Sequence, residues 1–159
     1  MALKEKDIAK HLKENWNTYF PDLVGCKLEV PIRNSRVDIL SSYPVDLYEL
    51  GLKKEDDILR YTNAAVFVEI KYNSNMRDLL YELQKHISFR NWYVNFGKAW
   101  CFIMVISDEF DYEMVKFMEN NNIIMYKYSI EDEDLSTFKI EEYSMRNIEL
   151  EEANDIICC

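Results

Sequence analysis

Hydrophobic positions recur along this chain with two different periods. Leu3, Ile8, Leu12 and Trp16 form a rough apolar stripe among Lys and Glu, which predicts a first helix over 3–16. Cys26–Pro31 and Arg36–Leu40 alternate apolar and polar residues around Arg33-Asn34-Ser35, the pattern of a β-hairpin. Residues 42–63 are polar, with the run Lys53-Lys54-Glu55-Asp56-Asp57, and read as a loop or a short helical insertion. Ala64–Tyr72 is rich in β-branched residues and predicts a strand. A long amphipathic helix over 76–96 follows, with Met76, Leu80, Leu83, Ile87 and Val94 on one face and Gly97 as its stop. Ala99–Ile106 is apolar throughout, as a central strand covered on both sides must be. A helix over 112–121, a strand over 123–128 and an edge strand over 138–143 complete the pattern, and what remains is an acidic tail. An antiparallel start followed by strand–helix alternation predicts an α/β fold, a mixed central sheet flanked by helices.

The chain has 159 residues, which suits one domain, and its 48% hydrophobic content supports a packed core. The first residues carry no apolar core of a secretory signal, and the longest apolar run is too short to span a bilayer, so the expectation is a soluble, cytoplasmic protein. Cys26 and Cys101 lie in apolar segments and read as free buried thiols, while Cys158 and Cys159 fall in the tail. With no Cys-x-x-Cys pair and two histidines, His11 and His86, a structural zinc site is not expected. Both histidines read as surface or half-buried residues.

Charge changes the picture through its distribution. The formal net charge is -10. Residues 1–106 hold 15 Lys/Arg against 14 Asp/Glu, whereas residues 107–159 hold 4 against 15. A neutral body can carry a local basic patch, and the last third cannot.

The informative residues are charges where the pattern demands apolar side chains. Strand alternation turns Val66, Val68 and Ile70 one way and Phe67, Glu69 and Lys71 the other. Asp38 sits likewise inside Arg36-Val37-Asp38-Ile39-Leu40. Burying such charges without compensation costs several kcal/mol each. A divalent cation held by hard carboxylate oxygens offsets that cost, and magnesium suits one or two carboxylates. The plain alternative is a solvated ion pair, since Glu-x-Lys is a common tripeptide.

These segments, together with Tyr81-Glu82-Leu83-Gln84 on the long helix, give the chain a form that resembles the PD-(D/E)XK nuclease superfamily. The resemblance covers 1–130 and implies a restriction-endonuclease-like fold, with 131–159 as an acidic C-terminal extension packed on or trailing from it. It implies metal-dependent hydrolysis of phosphodiester bonds, with DNA as the expected substrate. Asp38 and Glu69 would hold Mg2+ or Mn2+, Lys71 would orient the water and stabilise charge, and Gln84 would support the site. Glu5 matches the acidic residue of the first helix, with Glu14 and Glu29 as weaker candidates. Arg36 and Tyr81 are further supporting candidates. Val37 stands where the motif's name has Pro.

Arg77, Tyr81, Gln84, Lys85 and Ser88 recur on a polar helix face, so Arg77 and Lys85 are candidates for phosphate contact. Arg90 and Lys98 fit that role or a solvated face equally. Trp92, Tyr93 and Trp100 read as core aromatics. Duplex substrates favour a symmetric homodimer. The competing reading is a catalytically silent nuclease-fold protein that binds a protein partner through its acidic end, as an adaptor, an inhibitor or a nucleic-acid mimic.

Overall fold

The computed structural model describes residues 2–33, 35–51, 61–73, 76–95 and 100–158. One six-stranded mixed sheet runs in the order β1-β2-β3-β4-β5-β6, so every strand lies beside its neighbour in sequence. The strands are β1 (Val24–Ile32), β2 (Ser35–Asp46), β3 (Tyr61–Lys71), β4 (Cys101–Ser107), β5 (Ile124–Glu131) and β6 (Asp134–Tyr143). Pairing is parallel for β3/β4 and β4/β5 and antiparallel elsewhere. Helices α1 (Glu5–Glu14) and α2 (Trp16–Tyr19) precede the sheet, α3 (Met76–Asn95) joins β3 to β4, α4 (Tyr112–Asn120) joins β4 to β5, and α5 (Met145–Cys158) follows β6.

Two apolar layers hold this arrangement. On one face Ile8, Leu12, Trp16 and Phe20 pack on Ile39, Val66, Val68, Ile70, Met104 and Ile106. On the other, Leu79 and Leu83 of α3, Met114, Val115 and Met118 of α4 and Ile148 of α5 cover Ile103, Val105 and Met125. Two crossovers stepping in one direction, each with the usual right-handed sense, put α3 and α4 on the same face. Each fully buried aliphatic side chain stabilises the fold by about 1.5–3 kcal/mol. The alternation expected for β3 is met: Val66, Val68 and Ile70 face α1, and Phe67 faces α3 with Phe89 and Cys101. Buried Ser41 accepts from Trp16 Nε1 at 3.1 Å and donates to Gly25 O at 2.6 Å, which ties α2 to the β1–β2 ribbon.

That ribbon rolls over at Asp38. Leu28 and its partner Ile39 face α1, whereas Val30 and its partner Val37, two residues on, pack with Phe67 and Phe89 on the α3 face. Glu29, which lies between Leu28 and Val30, takes φ 51°. Left-handed backbone at a non-glycine residue is strained and turns the strand sharply. The hairpin tip is thereby carried against α3, where Ser35 Oγ donates to Glu82 at 3.3 Å.

Several expectations need correction. Residues 42–46 are not loop but the continuation of β2, and Tyr61–Asn63 begin β3, paired from Ser42↔Ala65 to Asp46↔Tyr61. The cluster Lys53–Asp57 lies outside the described residues. The first helix breaks at Asn15, whose side-chain amide donates to His11 O at 2.9 Å. Sheet pairing continues through residue 130, because β5 and β6 form a hairpin closed by Asp132 and Glu133, both at positive φ. The edge strand expected over 138–143 is present but begins earlier, at Asp134, and the residues after it, read as acidic tail, form α5, where Ile148 is buried. On α3 the buried line is Leu79, Leu83 and His86, with Leu80 and Ile87 only partly buried. Trp92 and Trp100 are exposed at 39% and 37%, and so are not core. Among the described residues, no helix is long and apolar enough to cross a membrane.

Candidate functional site

The site lies where β2 and β3 part. Their ladder runs to Ile39↔Val68, and beyond that pair the Ile70 N–H finds no strand partner in β2. It donates instead to the Asp38 carboxylate at 2.7 Å. A charge-assisted bond of this length satisfies a backbone donor that would otherwise be orphaned and fixes the carboxylate. Glu69, on the α3 face of the same strand, is 3% exposed and lies against Asp38. Lys71 follows two residues on, half-buried, and its charge favours the ionised form of both acids. Its carbonyl accepts from the Tyr128 hydroxyl at 2.7 Å, which anchors the end of β3 to β5.

Burial and mutual repulsion set the electrostatics. The Asp38 carboxyl is pushed up to about 7, first by desolvation and then by the Glu69 charge, against the pull of the Ile70 N–H and Lys71. Glu69 is also pushed up to about 7 by burial, with Glu82 and Glu5 adding repulsion and Lys71 opposing it. Two carboxylates in contact in low dielectric cannot both ionise cheaply, so they share a proton or a cation. Their oxygens are the hard donors that Mg2+ takes, and Mg2+ needs only one or two protein carboxylates beside water and phosphate oxygens. Among the described residues, no group of three or more His, Cys, Asp and Glu side chains has the geometry of a metal site. The donor set here is therefore the two carboxylates, which suit a hard cation that keeps most of its water.

His86 is the residue that the sequence reading missed. It is fully buried, and its Nε2 lies 2.7 Å from Glu69 Oε1. Burial lowers its pKa, against the pull of the Glu82 and Asp38 charges. The tautomer follows the Glu69 proton: an ionised Glu69 accepts the Nε2 hydrogen, and a protonated one donates its own to Nε2. Nδ1 has no hydrogen-bond partner. The available signal was the i, i+4, i+7 line Leu79, Leu83, His86; a stripe drawn one residue round the helix passes over it.

The remaining candidates are distributed around this centre. Gln84 is exposed and faces a groove beside α3, with Tyr81 and Lys85. Tyr81 is 62% exposed, and the Lys85 ammonium lies 4.4 Å from its ring centroid. Glu82, not Gln84, sends its charge toward Glu69 and His86. Glu5 is half-buried and close enough to act on Glu69. Arg36 turns away to Glu29 at 3.6 Å in solvent, Glu14 is exposed, and Arg77 is exposed on the first turn of α3. Arg90 donates to Asn121 O at 2.7 Å and so joins α3 to the end of α4. Lys98 lies outside the described residues. His11 is half-buried against the Tyr19 hydroxyl at 2.8 Å.

No family model, no curated protein and no solved structure matches this chain. What defines the molecule is thus its own geometry: an α/β fold with a six-stranded mixed sheet and, where two of its strands separate, a buried Glu69 against a half-buried Asp38.

Proposed function

We propose that this protein is a metal-dependent nuclease with a restriction-endonuclease-like fold, acting on phosphodiester bonds, with DNA as the leading substrate. One observation carries the reading: the buried Glu69 and the half-buried Asp38 touch beside Lys71. Nothing in the packing requires that pair, and it costs stability as it stands. Asp38 and Glu69 would hold Mg2+ or Mn2+, which supplies Lewis acidity toward a phosphoryl oxygen and acidifies a bound water. The chain's own residues do the positioning. The Ile70 N–H holds Asp38, and the His86 imidazole holds Glu69, so neither acid reorients as substrate arrives. Lys71 supplies a fixed positive charge for the phosphoryl oxygens as water oxygen bonds to phosphorus and the ester oxygen leaves. A homodimer fits the demands of a duplex with two strands to cut.

A second reading is supported by the charge split, 4 Lys/Arg against 15 Asp/Glu in residues 107–159. In that reading the fold is catalytically silent and captures a basic protein through β6 and α5. Incubation with DNA and MnCl2 separates the two. The nuclease reading expects cutting that EDTA abolishes and that Lys71→Ala and Glu69→Gln lose while remaining folded. Cutting that persists in either variant rules out this site.

A further inference from the structure

Beside α3 an open groove starts at the β1–β2 hairpin, and His86, which lines it, bonds Glu69. Ile32, Arg33 and Ser35 form one wall, Tyr81, Lys85 and Ser88 the other, and His86 and Phe89 line it between them. In a chain of net charge -10, the described residues of this lining include two cations and no carboxylate. Glu82 stands at its margin, held by Ser35 and 3.9 Å from Lys85. Each of these cations is set on an exposed aromatic ring: Lys85 over Tyr81 of the lining at 4.4 Å, and Arg33 over Trp92, outside it, at 4.6 Å. His86 itself is fully buried beneath the groove floor.

We infer that this groove binds single-stranded nucleic acid and leads a splayed strand to the site formed by Asp38 and Glu69. Cations that follow a backbone and aromatic faces that receive bases are the two elements of single-strand binding. Paired bases in a duplex keep their faces stacked on one another and cannot use Tyr81 or Trp92 in this way. The groove is open along its length, as suits a chain passing through and not an enclosed small molecule. The inference deepens the nuclease reading and rests on it only for the word substrate; binding itself does not require cutting.

The experiment is fluorescence anisotropy with the full chain in EDTA, so that no cutting intervenes. The probes are a short labelled oligo(dT), its RNA counterpart and a duplex of the same length. The expected result is a preference for single strands over duplex of about tenfold or more, with Arg33→Ala and Tyr81→Ala each weakening it by about tenfold. The more favoured of the DNA and RNA probes identifies the source of the strand. Equal or stronger duplex binding, or single-strand binding untouched by Arg33→Glu, overturns the groove. Both variants are on exposed side chains, and an unchanged thermal melt shows that they fold. Glu69→Gln separates the two claims: loss of Mn2+-dependent cutting with normal oligonucleotide binding supports both. Groove variants that bind and cut as wild type remove the groove and leave the nuclease. Groove-dependent binding without any metal-dependent cutting removes the nuclease and leaves the groove.

Discussion

β3 and β4 run parallel beneath the same helix, and at one level they differ completely. Glu69 lies in register with Val105, on the face covered by α3, and both are buried. Val105 is surrounded by Leu79, Leu83, Met114 and Met118, an environment that returns the full value of apolar burial. Glu69 is surrounded by Asp38, Lys71 and His86, and its carboxyl is pushed up to about 7. One strand is thus built to hold the fold, and its neighbour gives up stability at the same depth. Groups held in a cleft at such cost are where chemistry is found more often than chance.

The comparison can be broken most violently from the β4 side. Val105→Glu puts a second carboxylate at the same depth with no strand end, lysine or histidine to receive it. It should destabilise the protein by about 3–5 kcal/mol, read from the midpoint of urea denaturation. A loss under about 1 kcal/mol would mean that the two strands are not different environments after all.

His86→Ala removes the bond to Glu69 and opens a cavity over β3. A loss of about 2–4 kcal/mol is expected by the same measurement. A neutral outcome would show that the imidazole does not hold Glu69.

Smaller, and opposite in sign, is the effect of Glu69→Gln in EDTA. The folded-state pKa of this acid, about 7, lies above its ordinary value of 4.5. Between those values the folded protein binds more protons than the unfolded chain, so stability falls as pH rises. Glu69→Gln abolishes that loss. It should stabilise the protein by roughly 2 kcal/mol at pH 8 and by nothing near pH 4, as seen in chemical melts across the range. Destabilisation at pH 8 would contradict the strain assigned to the pair. Least affected of all is Arg36→Ala: its partner Glu29 is 70% exposed and Arg36 itself 64%. The change in stability should stay within about 0.5 kcal/mol, and a larger one would show that the hairpin depends on this pair.

The sequence was most readable where pattern and packing ask for the same thing. Val66, Val68 and Ile70 alternate with Phe67, Glu69 and Lys71, and the faces fall as period two requires. Asp38 and Glu69 stood out because their neighbours are apolar. Their contact was less readable, because it depends on the roll of the ribbon at Glu29, a residue with no glycine to announce a left-handed turn. The same absence hid the β5–β6 hairpin, turned by Asp132 and Glu133 where Asn-Gly or Asp-Gly is the usual mark. Strand 42–46 was masked by Ser42 and by Pro44, which sits in a paired position opposite Asn63. His86 was invisible for a different reason. A lone histidine on a helix gains meaning only once the helix's rotation over β3 is known, and Leu79, not Leu80, sets that rotation.

The central claim is that Asp38 and Glu69 form a cation site. Isothermal titration of MnCl2 or MgCl2 into the metal-free full chain at pH 8 tests it without reference to any substrate. The account predicts one site in the wild type, weakened about tenfold or more by Asp38→Asn and by Glu69→Gln, since two carboxylates supply all of its protein ligands. A wild type that takes up no divalent cation, or variants that bind it equally well, would contradict the claim.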